Sequence, residues 1–515
     1  MNDFFKKIIS ISQNFKNKKA IIIDNIGYSY AEILQWSFHL SKKFLLFRNE
    51  KNFCVILSRK TIKFYIGMLA CFFSNTIYTP LNVNKGIEKS KMILKKLNTS
   101  FIYIGDMDSD ILYNIVSCIS NVHILFSDYQ LYMQFKKYNA NNIIHYIGEL
   151  SDDLSDCEFN YDFFYDFNKK QDTAYLFFTS GSTGFPKGVP ISYANLNTYV
   201  DSITSLFIFS ASDRFIQLSD IAFDISIHEI IICLTVGATL YVYDEKYEMS
   251  AARFIYQHKI TQCILVPSSI PMLIGQCQFY KCILNSLKQT MVCGESFPVV
   301  YAKEWELIAP TSLIVNLYGP TEATVCCTYY VYQKNIDYSM LTILPIGKSF
   351  LGTKISITDN DELVISGKQV STGYINASSD NSSRFTYDPF TKKMSYYTGD
   401  RVSCHPNFGY LFLGRNDDQW QVKGYRIEKN EVESVLRCVL NMLEIYVVPK
   451  YDVNRLIDSL VLFSPHKIDL SLFKKKLYMF LPEYAVPLLT IQLDSIPKLS
   501  NGKIDYQFLI NKANI

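Results

Sequence analysis

The stretch of this chain best equipped for chemistry is Thr179-Ser180-Gly181-Ser182-Thr183-Gly184-Phe185-Pro186-Lys187-Gly188. Its small residues let the backbone curl, its hydroxyls and bare N–H groups converge as an anion cradle, and Lys187 adds positive charge. A loop of that composition after a strand is suited to polyphosphate. It is not a Walker loop, which ends Gly-Lys-Ser/Thr. Lys187 stands between Pro186 and Gly188, so the magnesium-binding hydroxyl of that motif is missing. A surface turn rich in Ser, Gly and Thr is the plainer reading of the same residues.

Farther along, Asn316-Leu317-Tyr318-Gly319-Pro320-Thr321-Glu322 bends at Gly-Pro, which can set a ring, a hydroxyl and a carboxylate around one ligand. Glu322 offers the oxygen donors that Mg²⁺ prefers, a cation that usually shares its shell with phosphate. In Tyr397-Thr398-Gly399-Asp400 the carboxylate can take both hydroxyls of a ribose or cap a turn. Leu499-Ser500-Asn501-Gly502-Lys503 makes a tight turn with Lys503 at its tip. Phe223-Asp224-Ile225-Ser226 puts an aspartate at the entrance of an apolar helix, where it pairs with an ammonium group or caps the helix.

The elements that must position these groups alternate between strand-like and helix-like runs. Phe53–Leu57, Ser100–Ile104, Thr173–Phe178 and Ala238–Tyr243 read as strands, and Ala194–Leu206 carries helical apolar spacing. That rhythm predicts layered α/β architecture. A break is expected in the polar run Gly414–Gln419, after the hairpin Asn407–Leu413. Beyond it, helices over Lys429–Leu440 and Leu470–Phe480 and strands near Ile445–Val448 and Leu460–Phe463 suit a small separate module.

A chain of 515 residues exceeds one ordinary core, and 49% hydrophobic with 19% charged residues is a globular balance. The net charge of +3 and the lack of a basic patch interleaved with aromatics exclude nucleic acid as an expected partner. The longest apolar runs, Phe64–Phe73 and Ile230–Val236, are too short to cross a bilayer, and the N-terminus lacks a secretion signal. The cysteines include no CxxC pair and never cluster with histidine at ligand spacing, so they read as reduced core thiols of a cytoplasmic protein.

In this order and at these separations, the motifs resemble the adenylate-forming superfamily of acyl- and aminoacyl-activating ligases. The likeness spans nearly the whole chain, from Tyr28-Ser29-Tyr30-Ala31-Glu32-Ile33 through Tyr78-Thr79-Pro80-Leu81-Asn82 to Lys503. It implies a large N-terminal domain (1–416) of two β-sheet subdomains flanked by helices plus a barrel-like third. A small mobile α+β lid (417–515) would hinge near Asp417. By matching motif, Thr179–Lys187 embraces the pyrophosphate end of ATP, and Asn316–Thr321 frames adenine and the α-phosphate with Tyr318 on the base. Glu322 is the implied Mg²⁺ ligand, Asp400 the ribose clamp, and Arg415, after Gly414, a ribose or phosphate contact. Lys503 would bridge the substrate carboxylate and the α-phosphate.

Within the superfamily, Phe-Asp-x-Ser is similar to the amino-acid-activating branch, where the aspartate holds the substrate amine. Finer likeness, carried by Gly188–Leu196, Val292–Pro298 and Tyr318–Val325, is to free-standing D-alanine–carrier-protein ligases. Cys293, Leu317 and Val325 would then enclose a small side chain. Two departures stand out: His228 in the pocket helix where an apolar residue is usual, and Gln421 where lysine is common. The acceptor is expected in trans, as the phosphopantetheine thiol of a separate carrier protein; coenzyme A offers the same thiol. An acyl-CoA ligase for a small organic or aryl acid, or a degenerate nucleotide-binding member, are the alternative readings.

Overall fold

The computed structural model describes residues 3–49, 52–82, 87–97, 99–137, 142–148, 172–179, 186–244, 250–375, 383–389, 391, 393–416, 419–454, 456–498 and 504–514. Among them four sheets form. One has seven strands, running from the edge strand Ile143–Tyr146 through Phe53–Leu57 to Thr173–Thr179 and Lys187–Ser192. Its interior strands are parallel and apolar on both faces; all five residues of Phe-Cys-Val-Ile-Leu at 53–57 are buried. Such unbroken runs mark strands covered on both sides. The second sheet has nine strands, with Leu313–Tyr318, Gln289–Val292, Gln262–Leu265 and Arg214–Gln217 at its parallel centre.

One continuous core joins the two sheets. Helix Ile62–Phe73, all but unbroken in apolar residues, packs there with helices Tyr30–Leu45 and Tyr193–Leu206. The last two each begin with a side chain that satisfies free amides. Ser29 and Glu32 cap the first reciprocally, and Ser192 and Asn195 the second. Asn195 does more than cap, because its amide also donates to Lys368 O and Val370 O.

The third sheet, where a barrel-like subdomain is expected, is antiparallel with five strands. The long strand Lys393–His405 carries Asp400 and pairs it with Arg415 of Gly409–Arg415. The fourth sheet belongs to the tail: Gln419–Val422, Tyr425–Glu428, Tyr446–Tyr451, Ile457–Ser464 and Leu489–Gln492, backed by helix Lys429–Leu440 with its own apolar core. The expected helix Leu470–Phe480 begins as a 3₁₀ turn and becomes α-helical only at Lys474. No helix among the described residues is long and apolar enough to cross a membrane.

The tail is docked on the rest by polar contacts. Tyr301 Oη donates to Asp452 at 2.9 Å, Gly424 N donates to Glu295 at 2.6 Å, and Lys89 pairs with Glu431 at 3.0 Å. The expected hinge residue Asp417 lies outside the described residues.

Candidate active site

The parallel strands of both large sheets point their carboxyl ends toward a cavity of about 650 Å³ closed on its far side by the tail. Open α/β sheets place ligands at that end, and the size is ordinary for small molecules (roughly 300–1,000 Å³). Cys293 follows strand Gln289–Val292, Gly319 follows Leu313–Tyr318, and Asp224 lies on the segment after Arg214–Gln217; all three line the cavity.

Asp224 stands at the N-cap of the short turn Ile225–Ile227 without a capping bond to the amides farther along it. Its Oδ2 is buried without a hydrogen-bond partner among the described residues. Burial raises its pKa to about 6, against the Thr321 hydroxyl and the amides of Asp224 and Ile225, which pull it down. A buried carboxylate short of partners is costly unless a cation or donor arrives. Cys293, Leu317 and Val325 line the same cavity.

At the other end, Tyr318 Oη donates to Asp400, and Arg415 binds the same carboxylate while reaching Thr398 O at 3.1 Å. Asn316 spends its amide on Leu344 O and Pro345 O, so it holds the wall rather than facing the cavity with free donors. Gly319, Pro320, Thr321 and Gly414 complete this end. A Cβ on Gly319 would lie 2.5 Å from Cys326 Cα, so the chain crosses itself there only because that position is glycine.

Thr179 and Lys187 are direct antiparallel partners, so the loop between them is closed at its base. Thr179 Oγ1 is buried with no partner among the described residues, at the cavity edge. Ser180, Gly181, Ser182, Thr183 and Gly184, like Lys503, lie outside the described residues. Lys187 is 7% exposed. Its Nζ sits 3.8 Å from Glu428 of the tail and 5.6 Å from the Tyr374 ring, and burial lowers its pKa against the opposing pull of Glu428.

Glu322 is fully buried, and its chemistry suits a hard cation. In this arrangement its cation is Arg426 of the tail, whose Nη1 is 3.0 Å from both carboxylate oxygens, with Tyr374 Oη at 2.6 Å. Burial pushes Glu322 up, but Arg426 and Tyr374 outweigh it and hold its pKa below the usual range. The turn that follows is strained. Thr324 and Val325 have φ of 61° and 65°, a region that costs a β-branched residue on the order of 1–3 kcal/mol.

His228 is a correction. Expected in the substrate compartment, it is not among the cavity-lining residues; it is 3% exposed and its Nδ1 lies 2.7 Å from Tyr199 Oη. Burial lowers its pKa to about 4, so the ring is neutral. The chain winds as a π turn from His228 to Ile232, which turns the side chains away from the spacing of an α-helix. Gln421 does line the cavity, with Oε1 buried and unpartnered among the described residues.

Sequence reasoning passed over Glu295, Gln369, Tyr374 and Arg426. Glu295 accepts from Ser268 N and Gly424 N, joining the wall to the tail. The tail also contributes Tyr425 and Tyr484, stacked 3.7 Å apart, with Phe223 edge-on to Tyr425 at 4.9 Å.

Residues 10–375 match the AMP-binding enzyme family. The chain is 29% identical to D-alanine–D-alanyl carrier protein ligase of Staphylococcus epidermidis, over 92% of each protein. It is 31% identical to L-proline–[L-prolyl-carrier protein] ligase of Pseudomonas fluorescens, over 65% of this chain and 67% of that one. Among solved structures, the Vibrio cholerae adenylation domain AlmE, in complex with glycyl-adenosine-5′-phosphate, matches with a TM-score of 0.85 at 26% identity, covering 99% of this chain and 98% of that one.

Proposed function

The chain belongs to the AMP-binding enzyme family, and on that footing we propose that it uses ATP to activate a small amino acid and passes it to a carrier-protein thiol. The observation that carries this reading is the Oδ2 of Asp224, buried in the cavity without a hydrogen-bond partner among the described residues. An α-ammonium group supplies the missing partner and stabilises the ionised carboxylate. Cys293, Leu317 and Val325 bound a compartment for a short apolar side chain, and D-alanine is the favoured substrate.

In the first step a substrate carboxylate oxygen attacks the α-phosphorus, and the bond to the pyrophosphate oxygen breaks. Two anions meet, so positioning and charge neutralisation do the catalysis and no protein nucleophile is required. Tyr318, Asp400 and Arg415 receive the nucleoside, the Thr179–Lys187 loop the outer phosphates, and Lys503 the two reacting groups. Glu322 would hold Mg²⁺, which supplies charge neutralisation at the phosphates. In the second step a phosphopantetheine thiolate attacks the acyl carbon and AMP leaves. Residues 417–515 act as the lid that exchanges the two steps, in the cytoplasm; the free state of the described cysteines is in keeping with that location.

Amino-acid-dependent exchange of labelled pyrophosphate into ATP, over D- and L-amino acids, tests the proposal. Exchange with D-alanine, glycine or another small amino acid supports it. Exchange only with deaminated acids, or with nothing, sinks it.

A further inference from the structure

We propose that Gln369 is a positioning residue that sets the side-chain compartment by holding Thr324 and Val325 in left-handed backbone. The inference rests on the amino-acid reading above, because Val325 is the compartment wall it controls. Gln369 is 0% exposed and does not line the cavity. Its amide nitrogen donates to Ala323 O at 3.3 Å and to Cys326 O at 2.9 Å, clasping both ends of the strained turn. Its amide oxygen accepts from Thr353 Oγ1 at 3.1 Å, which fixes the amide's orientation. Its backbone carbonyl accepts from Thr324 Oγ1 at 2.6 Å.

Every donor of the amide is therefore used on the turn. No other residue type combines that reach with two donors and one acceptor in this geometry. The clasp is itself anchored: Asn195 Nδ2 holds the carbonyls of Lys368 and Val370 on either side of Gln369, and Ser371 N donates to Glu322 O at 2.8 Å. The strained φ values at Thr324 and Val325 thus have an identified counterweight in a residue that touches neither substrate nor nucleotide. Released from the clasp, the pair would relax toward negative φ and withdraw Val325 from the wall.

The test measures pyrophosphate exchange with glycine, D-alanine and D-2-aminobutyrate, a series that grows by one carbon. One methylene in an apolar pocket is worth roughly tenfold or more in discrimination. Gln369→Ala, and Gln369→Glu with its two lost donors, are expected to flatten selectivity across the series by about that factor. Thr353→Val, which only frees the amide to rotate, gives a smaller change in the same direction. Adding Thr324→Gly to Gln369→Ala restores most of the selectivity, since glycine adopts positive φ without strain. A purely structural role would not predict that rescue.

A readout independent of activity is hydrogen exchange at Cys326 N and Cys327 N, bonded to Thr324 O and Tyr318 O. Exchange there should quicken in Gln369→Ala and slow again in the double variant. Unchanged selectivity and protection in Gln369→Ala, or no rescue by Thr324→Gly, overturns the inference. A wild type silent with every amino acid defeats the proposed function instead, and the exchange protection still decides the role of Gln369.

Discussion

Arg426 Nη1 lies 3.0 Å from both oxygens of the Glu322 carboxylate, so a cation from the tail sits where a metal is proposed to bind. The neighbouring Glu428 faces Lys187 at 3.8 Å. One short strand thus sets a positive charge on the acid and a negative charge by Lys187. On the proposed function, nucleotide and metal would displace both.

Removing one partner of a buried pair leaves the other uncompensated. Arg426→Ala is expected to lower stability by up to about 3 kcal/mol, less than the full penalty because Tyr374 still donates to Glu322. Millimolar Mg²⁺ without nucleotide should then raise the Tm of Arg426→Ala more than that of the wild type. Equal Mg²⁺ effects on both, in thermal melts, would remove Glu322 as the metal ligand.

On the proposed function, amine binding requires Asp224 ionised, and its pKa is raised to about 6 in the free protein. The kcat/KM for amino acid should therefore fall about tenfold per pH unit below that value. Asp224→Asn should abolish this limb and cost on the order of a hundredfold or more in activity. A pH profile shared by wild type and Asp224→Asn would contradict the assignment.

The same group makes a stability prediction of definite sign. A raised carboxyl pKa means stability is present in full below the unfolded value near 3.9 and is lost as pH rises through about 6. Asp224→Asn should accordingly be more stable than wild type at pH 8, by about 1–3 kcal/mol. The difference should vanish near pH 4. Denaturant titrations at the two pH values decide it.

Gly424 has φ of 81°, and a Cβ there would lie 2.7 Å from Val266 Cγ1. Gly424→Ala should prevent the tail from docking as it does here. The expected result is a loss of roughly a hundredfold in thioester formation from supplied adenylate, with pyrophosphate exchange little changed. The reverse pattern would assign this docking to the first step.

Lys503→Ala should do the opposite, largely abolishing adenylate formation while leaving transfer from supplied adenylate mostly intact. Equal loss in both half-reactions would remove Lys503 from the first.

The residues legible in the sequence are those whose chemistry is local. Asp224 and Tyr318 sit beside turns that announce them, and Asp400 follows a glycine. The strand before the hydroxyl-rich loop was equally visible, because residues 174–178 are apolar without a break. His228 misled because its ring spends Nδ1 on Tyr199, a partner 29 positions away that leaves no local trace. Arg426 and Gln369 left no local trace. A guanidinium that meets a carboxylate 104 positions away, and an amide that clasps a turn 46 positions back, acquire their roles only from tertiary pairing.

Phe223 immediately precedes Asp224, Tyr425 immediately precedes Arg426, and the two rings meet edge to face. The contact thus links a cavity residue at one end of the chamber to the strand of the tail that holds the acid at the other. On the proposed function, that single ring pair, with a covalent neighbour on each side, joins the two ligand positions without a relay through the protein interior.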